Sequence, residues 1–484
     1  MKVRKSLSLL LATVLSISML AGCGAKTDSK EVATEGAVTE EATSEEATSE
    51  EVVAEDVTLV VGNWPDDTKP ESVEQHEKLK EEFETANPNV TITPNTYYYE
   101  VKTFTAKAAA GQLPNLLQNL PFTDVKSVAK NGFAADITEA AEASGLLEKI
   151  DPAVIELCSG EDGKLYTLPR VVYVMGLMMN KALFEQAGLV NEDGTVMIPQ
   201  TYEELAEYAV QIKEKTGVSG FALPTTGNHG GWILMNIAWN YGVTFEEQDE
   251  NGNYVACFNS QEFHDALQYV YDLKWKHDVL QDNMAINAVD ALNLLATDQT
   301  AMIIGHSDWC NHLASTGGMA TTNLAMGKIP EGPGGRYAQL GGSLFMLSAD
   351  STDAQIKTAF DWIKHIGYGP VLNEETYREN CELSASEGKF VFPKVLVSPW
   401  TDEERIAKME EIAAPYANVD MKDFKEYNTE GIELRAEPAA CAQELYSILD
   451  GVIQEVLTNE NVDIEAISAK AQEDFQLNHL DKMD

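Results

Sequence analysis

Asp162-Gly163-Lys164-Leu165-Tyr166-Thr167-Leu168-Pro169-Arg170-Val171-Val172-Tyr173-Val174-Met175-Gly176-Leu177-Met178-Met179-Asn180-Lys181-Ala182-Leu183-Phe184-Glu185-Gln186-Ala187-Gly188-Leu189 decides the fold. Asp162-Gly163 is a turn signal. Leu165 to Leu168 is a short apolar run ended by Pro169, and Val171 to Met179 is a longer one. β-Branched runs bounded by turn residues are buried strands. Asn180 stands where a helix N-cap belongs and Gly188 where the helix should stop. The chain therefore passes through a strand buried on both faces and directly into a short helix.

Outward from there the α/β pattern repeats. Val57 to Gly62 predicts a strand, followed by the loop Asn63-Trp64-Pro65-Asp66-Asp67. Ser72 to Ala86 has helical spacing and ends at Asn87-Pro88-Asn89; Val90 to Thr93 predicts a second strand. Strand, helix, strand implies a parallel pair. A helix over 101–110 and a strand over 116–120 continue the series. Thr201 should cap the next helix with Glu204 as its capping-box partner. Gly220 to Leu223 predicts a short strand, Gly230 to Tyr241 a helix, and Asp249 to Asn253 a hairpin turn rather than a calcium loop. Ala301 to Ile304 predicts another buried strand, with Ser307 or Asp308 to cap the helix after it. Further helices are expected over 259–277, 352–366 and 439–457.

Three blocks carry a resemblance. Asp162 to Leu189 is similar to the "DGK-Y-lP … YNK-lF-kaGl" block of the family 1 extracellular solute-binding proteins, the sugar receptors of bacterial ABC importers; Met179 stands where that family usually has Tyr. Ala301-Met302-Ile303-Ile304-Gly305-His306-Ser307-Asp308-Trp309 resembles its "a-M-x-x-x-G-x-W". Lys328 to Gly335, then Gly341-Gly342-Ser343, resembles its glycine-bearing return strand. The resemblance implies an α/β two-lobed periplasmic-binding-protein (Venus flytrap) fold with discontinuous lobes joined by hinge strands. One lobe would take 57–172 and 341–375, the other 173–340 and 376–484. It further implies a ligand held between the lobes and a separate ABC permease that receives it.

Length and charge agree with that class. Cores stop growing at roughly 250–300 residues, so 484 residues imply at least two lobes. The net charge is −44, of which residues 57–484 carry −38 once the +3 of residues 1–23 and the −9 of 24–56 are removed. Such a surface repels phosphate, which excludes nucleic acid as a partner. Lys2, Arg4 and Lys5 followed by an apolar run to Leu20 form a signal peptide. Leu20-Ala21-Gly22-Cys23 resembles a lipobox, which implies lipidation of Cys23 and an anchor on the extracytoplasmic face of a monoderm bacterium's membrane. Residues 24–56 repeat Glu-Glu-Ala-Thr-Ser and hold no aromatic residue, so they are an acidic tether spanning roughly 30 Å. The remaining cysteines, Cys158, Cys257, Cys310, Cys381 and Cys441, show no metal spacing. They are buried thiols or include one disulfide, for which Cys381–Cys441 is the pair to consider.

No GxSxG, HExxH, P-loop or GxGxxG is present, the histidines show no ligand spacing, and neither cofactor nor metal is expected. Asn228-His229-Gly230-Gly231 resembles an oxyanion loop without a partner motif. A sugar receptor needs flat aromatics against pyranose faces and polar side chains for hydroxyls. The expected stacking residues are Trp309, at the position where the family stacks a sugar ring, then Trp64, Tyr173, Trp232 and Trp400. The expected polar contacts are Asn63, Asp66, Asn119, Asp308, Ser343 and Arg170. Loops 63–70, 95–100, 225–232 and 395–402 should set specificity. The function expected is a monomeric, membrane-anchored carbohydrate receptor of an ABC importer, not an enzyme. The alternatives are the same fold binding a polyamine or other small cation and, behind it, a secreted glycoside hydrolase.

Overall fold

The computed structural model describes residues 55–483 apart from Lys69. The signal peptide, Cys23 and nearly all of the tether lie outside the described residues. Eleven strands appear among those described: β1 Val57–Val61, β2 Val90–Pro94, β3 Leu116–Pro121, β4 Thr167–Val174, β5 Gly176–Asn180, β6 Glu246–Gln248, β7 Tyr254–Ala256, β8 Met302–Gly305, β9 Leu324–Lys328, β10 Tyr337–Leu347 and β11 Glu433–Arg435.

The larger sheet has the order β11-β10-β3-β1-β2, with β4 on the other edge of β10. β1 and β2 are parallel in the register Val57 to Val90, joined by the helix Pro70–Ala86, as the periodicity predicts. The second sheet is β8-β5-β9, antiparallel throughout. One apolar core runs from Leu59 through Leu120, Val172 and Leu344 to Ile363 and includes Trp400. A second runs from Val174 through Trp239 and Leu280 to Leu480, and a third, around Met178, Met326 and Phe424, packs on the other face of the small sheet.

Between Val174 and Gly176 the chain leaves one sheet for the other. Val174 faces Leu340 in the large sheet, the Met175 amide donates to the Gln339 carbonyl at 3.0 Å, and Gly176 already pairs with Gly305 and Lys328. The crossing is tight because Gly176 has no side chain. A Cβ there would lie 2.5 Å from the Gly327 carbonyl oxygen and 2.8 Å from the Tyr427 ring. The helix Lys181–Ala187 then starts as expected, with the Asn180 side chain accepting from the Leu183 amide and Gly188 stopping it at φ 77°.

Several local expectations are corrected. Pro169 does not end a strand: β4 continues through it, because the register against β10 shifts between Ser343 and Leu344, next to the residue that lacks an amide hydrogen. Thr201 caps its helix, but Glu204 accepts from the Gln200 amide instead of the cap's own. Residues 220–223 form no strand. Neither Ser307 nor Asp308 caps the helix Cys310–Ser315 through its side chain. The five described cysteines are free thiols; Cys381 packs with Val391 and Ala413, while Cys441 precedes the helix Ala442–Thr458, so that pair is not bridged. Asp249 to Asn253 is a turn closed by the Asp249 carboxylate, which accepts from the amides of Asn251 and Asn253.

Candidate functional site

Three chain segments converge where the two sheets meet. β4 brings Arg170 and Tyr173, the turn after β8 brings His306 to Trp309, and the first turn of the helix His229–Tyr241 brings Trp232. Trp232 is fixed there by Asp450, whose carboxylate accepts the amides of Asn228 (2.7 Å) and Gly231 (2.8 Å). An anion at a helix N-terminus is favoured by its unpaired amides and dipole. The Asn228-His229-Gly230-Gly231 loop is thus a capped helix start. Trp309 folds back over Gly305, where a Cβ would meet its ring at 2.8 Å.

The aromatic rings form one cluster. Tyr173 lies flat on His306, centroids 3.6 Å apart and planes at 15°. His306 lies 4.5 Å from Trp309, and Trp232 sets its edge against Trp309 at 5.7 Å and His306 at 6.0 Å. Such pairs add about 0.5–1.5 kcal/mol each beyond the area they bury. Trp232 and His306 are buried, whereas Trp309 and Tyr173 keep part of their surface open. Burial lowers the His306 pKa to about 3, so the ring is neutral, and its Nδ1 has no hydrogen-bond partner. Gly341, opposite Tyr173 on β10, leaves room for the phenol: a Cβ would lie 2.7 Å from that ring.

Charged groups surround this floor. The Asp308 side chain reaches solvent, yet protein rings it closely enough that burial pushes its carboxyl up to about 7, against the pull of Arg170. It accepts no hydrogen bond from the protein among the described residues. Arg170 is half-buried, its Nε has no partner, and its guanidinium lies 5.8 Å from the Tyr368 ring centre. Burial and the Asp124 carboxylate raise Glu437 to about 7, while hydrogen bonds from Tyr446, Gln339 and the Thr123 amide hold it down. The Tyr446 hydroxyl donates to it at 2.8 Å. Asp124 in turn accepts a short hydrogen bond from Tyr99. Beside them, Tyr99, Thr123 and Asp124 face Tyr254, Cys441 and Gln443 across a crevice of about 630 Å³.

Of the sequence-predicted residues, Trp309, Tyr173, Trp232, Asp308 and Arg170 come together. Ser343 sits half-buried on β10 beside Val171. Asn119 is buried at the end of β3, accepting from the Tyr99 amide at 3.2 Å with its Nδ2 unpartnered. Asn63 adopts φ 57° after β1, and its amide donates to Tyr97. Asp66 is exposed and accepts from the Thr68 amide. Trp64 and Trp400 are instead core residues. Trp64 is 5% exposed and stacks on Trp362 at 6.2 Å; Trp400 is 8% exposed and lies under the Arg405 guanidinium at 3.9 Å. Both follow strand or loop signals that do not tell which way an indole turns.

Sequence reasoning missed His306 and Glu437, and it reached Tyr97-Tyr98-Tyr99 only as part of loop 95–100. His306 was visible inside the strand-to-turn block. Glu437 had one signal, a lone acid before Pro438 among alanines. Tyr98 is 64% exposed and lies within electrostatic reach of the Tyr173 phenol.

No helix among the described residues is long and apolar enough to cross a membrane. None of the curated proteins matches the sequence significantly. Solved structures do resemble it. A solute-binding protein of an ABC transporter from Thermotoga lettingae, bound to α-D-tagatose, aligns with a TM-score of 0.67 at 19% identity, covering 86% of this chain and 98% of that one. The GacH receptor of Streptomyces glaucescens, solved with acarbose, aligns at 0.64 and 17%, covering 88% and 99%. UgpB of Mycobacterium tuberculosis, in complex with glycerophosphocholine, aligns at 0.64 and 15%, covering 87% and 98%. At these identities the likeness establishes the two-lobed fold. The family model for bacterial extracellular solute-binding protein matches residues 78–378, more than half of the sequence. The chain belongs to the bacterial extracellular solute-binding protein family.

Proposed function

We propose that the chain is a membrane-anchored receptor that captures a carbohydrate of oligosaccharide size between its lobes and delivers it to an ABC permease. The observation that carries this is the cluster of Tyr173, Trp232, His306 and Trp309, open on one side and flanked by Asp308 and Arg170. A buried aromatic removes 150–250 Å² from water, roughly 4–6 kcal/mol gross. Hydrogen bonds from hydroxyls to Asp308 and Arg170 add about 1.5–3 kcal/mol each. Set against ordering costs, a net of about −8 kcal/mol, or micromolar affinity, follows. The solved neighbours include receptors bound to tagatose and acarbose, which favours a carbohydrate.

The lobes divide as 57–172 with 341–375 and 173–340 with 376–484, and the segment at Trp400 returns to the first. The residue content of the two main cores supports this division. Ligand shifts an open–closed equilibrium about β4 and β10. Cys23 carries the lipid anchor, residues 24–56 are the tether, and the receptor acts as a monomer without enzymatic activity.

A thermal-shift screen against mono- and oligosaccharides, polyamines and amino acids tests the reading. Ligand at 100 times Kd stabilises by about 2.7 kcal/mol, a few degrees. A carbohydrate hit that disappears in Trp309→Ala supports the receptor and its cleft. A polyamine hit alone moves the fold to a cation receptor, which the unpaired Asp308 carboxylate favours as the second reading. Cleavage products from incubated oligosaccharides would sink both in favour of a hydrolase.

A further inference from the structure

Elsewhere in this molecule an arginine drawn in from solvent comes with its own acceptors. Arg405 is 6% exposed and donates to the Gly367 and Gly369 carbonyls, each at 3.0 Å. Arg336 donates to the Gln200 carbonyl at 2.9 Å and lies 3.7 Å from Glu331, and Arg435 lies 3.5 Å from Glu433. Arg170 is half-buried and has neither a hydrogen bond nor an ion pair among the described residues; its Nε is sealed from water without an acceptor. The backbone puts it there. Against β10, Val171 pairs with Ser343 and Pro169 with Leu344, so Arg170 is the extra residue of a β-bulge. Strict alternation would send its side chain to the face of Val172, which is 4% exposed in the first core. A bulge re-aims a side chain. The guanidinium lies instead 5.8 Å from the Tyr368 ring centre, and Tyr368 sets its edge against Phe345, which shares the Tyr173 face of these two strands. Along that face Arg170, Val171, Tyr173 and Ser343 stay half-buried, while Pro169, Val172, Val174 and Leu344 are buried.

We propose that the ligand of this cleft is an acidic carbohydrate, a uronate whose carboxylate takes the Arg170 guanidinium while its ring lies on Trp309 beside Tyr173. This rests on the receptor reading above and narrows it. The ring sites are already joined: Tyr173 lies on His306, centroids 3.6 Å apart, and His306 is 4.5 Å from Trp309. A guanidinium presents a planar fork of N–H donors that fits a carboxylate through two parallel hydrogen bonds. A neutral sugar would accept from the fork but leave its charge without a counter-ion once the lobes close over it. Asp308, in the turn with Trp309, does not supply that counter-ion, because Arg170 pulls on its carboxyl without reaching ion-pair distance. Burial holds that carboxyl up at about 7, so beside a second carboxylate it takes a proton and does not repel it. The charge of −38 slows an anion's approach, but salt at 0.1 M screens it within about 10 Å, whereas the fork acts at contact.

The test is titration calorimetry of the mature chain at pH 7.5 with trimers of galacturonate, glucuronate and mannuronate, each beside its fully methyl-esterified counterpart, and with spermidine. A uronate trimer should bind at least about tenfold more tightly than its ester, the factor that one charge-assisted hydrogen bond supplies. In Arg170→Gln that ratio should fall toward one with the melting temperature unchanged, since the guanidinium has no protein partner to lose. Arg170→Lys keeps the charge without the fork and should recover only part of the ratio. An ester that binds as tightly as its acid, or silence from all three uronates, overturns the inference; a neutral sugar found in the thermal-shift screen then leaves the carbohydrate reading intact. Spermidine binding with no sugar bound overturns both. A ratio that survives Arg170→Gln overturns the assignment to this arginine.

Discussion

Trp309 and Trp64 are chemically identical and do different work. Trp309 keeps an open face beside Asp308; Trp64 is sealed between Trp362 and His76. Trp309→Ala should weaken ligand binding by about 30-fold or more, as for a central aromatic anchor, while the loss of its contacts with Trp232 and His306 lowers the melting temperature less than Trp64→Ala does. Trp64→Ala should cost about 3–5 kcal/mol of stability through the cavity it leaves. Calorimetric titration and denaturant unfolding of the two variants separate these roles. The carboxyls make a second prediction. Asp308 and Glu437 have folded-state values raised to about 7, above those of an unfolded chain near 4. Between those limits the folded state holds more protons, so stability falls as pH rises from about 4 to 7. Asp308 reaches water, which screens its share, so Glu437 should dominate. The melting temperature of ligand-free protein should therefore be higher at pH 5 than at pH 7.5, and Glu437→Gln should flatten that slope relative to wild type. An unchanged slope would show that the general acidity of the surface, not this carboxyl, sets it.

The strand that crosses between the sheets shows how far an element can be recovered from sequence. Its apolar, β-branched run from Val171 marks a buried strand, and Asn180 and Gly188 mark the helix after it, because capping chemistry is local. The change of sheet at Met175 leaves no such mark. It depends on Gly327, Tyr427 and Gln339, which are distant in sequence. Pro169 reads as a terminator for the same reason: its tolerance depends on a register shift in β10. The site obeys the same rule. Asp308 and Trp309 follow the end of β8 and Tyr173 stands next to the last residue of β4, so position along the chain predicts that they meet, whereas Arg170 lies mid-strand. Glu437 and Asp124 matter through a neighbour that only the tertiary fold supplies. The crossing itself can be tested. Gly176→Ala places a Cβ 2.5 Å from the Gly327 carbonyl oxygen. Backbone cannot yield there as a flexible side chain would, so about 1–3 kcal/mol of stability should be lost, measured as a lower denaturant midpoint with unchanged slope.

At the scale of the whole molecule, connection and charge act together. β4 and β10 run side by side in opposite directions, and β4 continues directly into the second sheet. Two adjacent strands are stiff along their length and can bend where one sheet gives way to the other, so ligand should close the lobes as rigid bodies. Small-angle scattering should then show a smaller radius of gyration at saturating ligand, and Trp309→Ala should retain the ligand-free value at the same ligand concentration. The charge of −38 over residues 57–484 adds a second readout. That field concentrates cations near the surface and is screened within about 10 Å at 0.1 M salt. Raising salt from 0.05 to 0.5 M should leave the affinity for a neutral sugar nearly constant, because its contacts are stacking and short hydrogen bonds. For a ligand carrying an ammonium the association rate should fall with salt while dissociation changes little, since long-range steering is screened and a short contact with Asp308 is not. Stopped-flow traces at the two ionic strengths, read from tryptophan fluorescence, separate a receptor that selects by shape from one that also selects by charge.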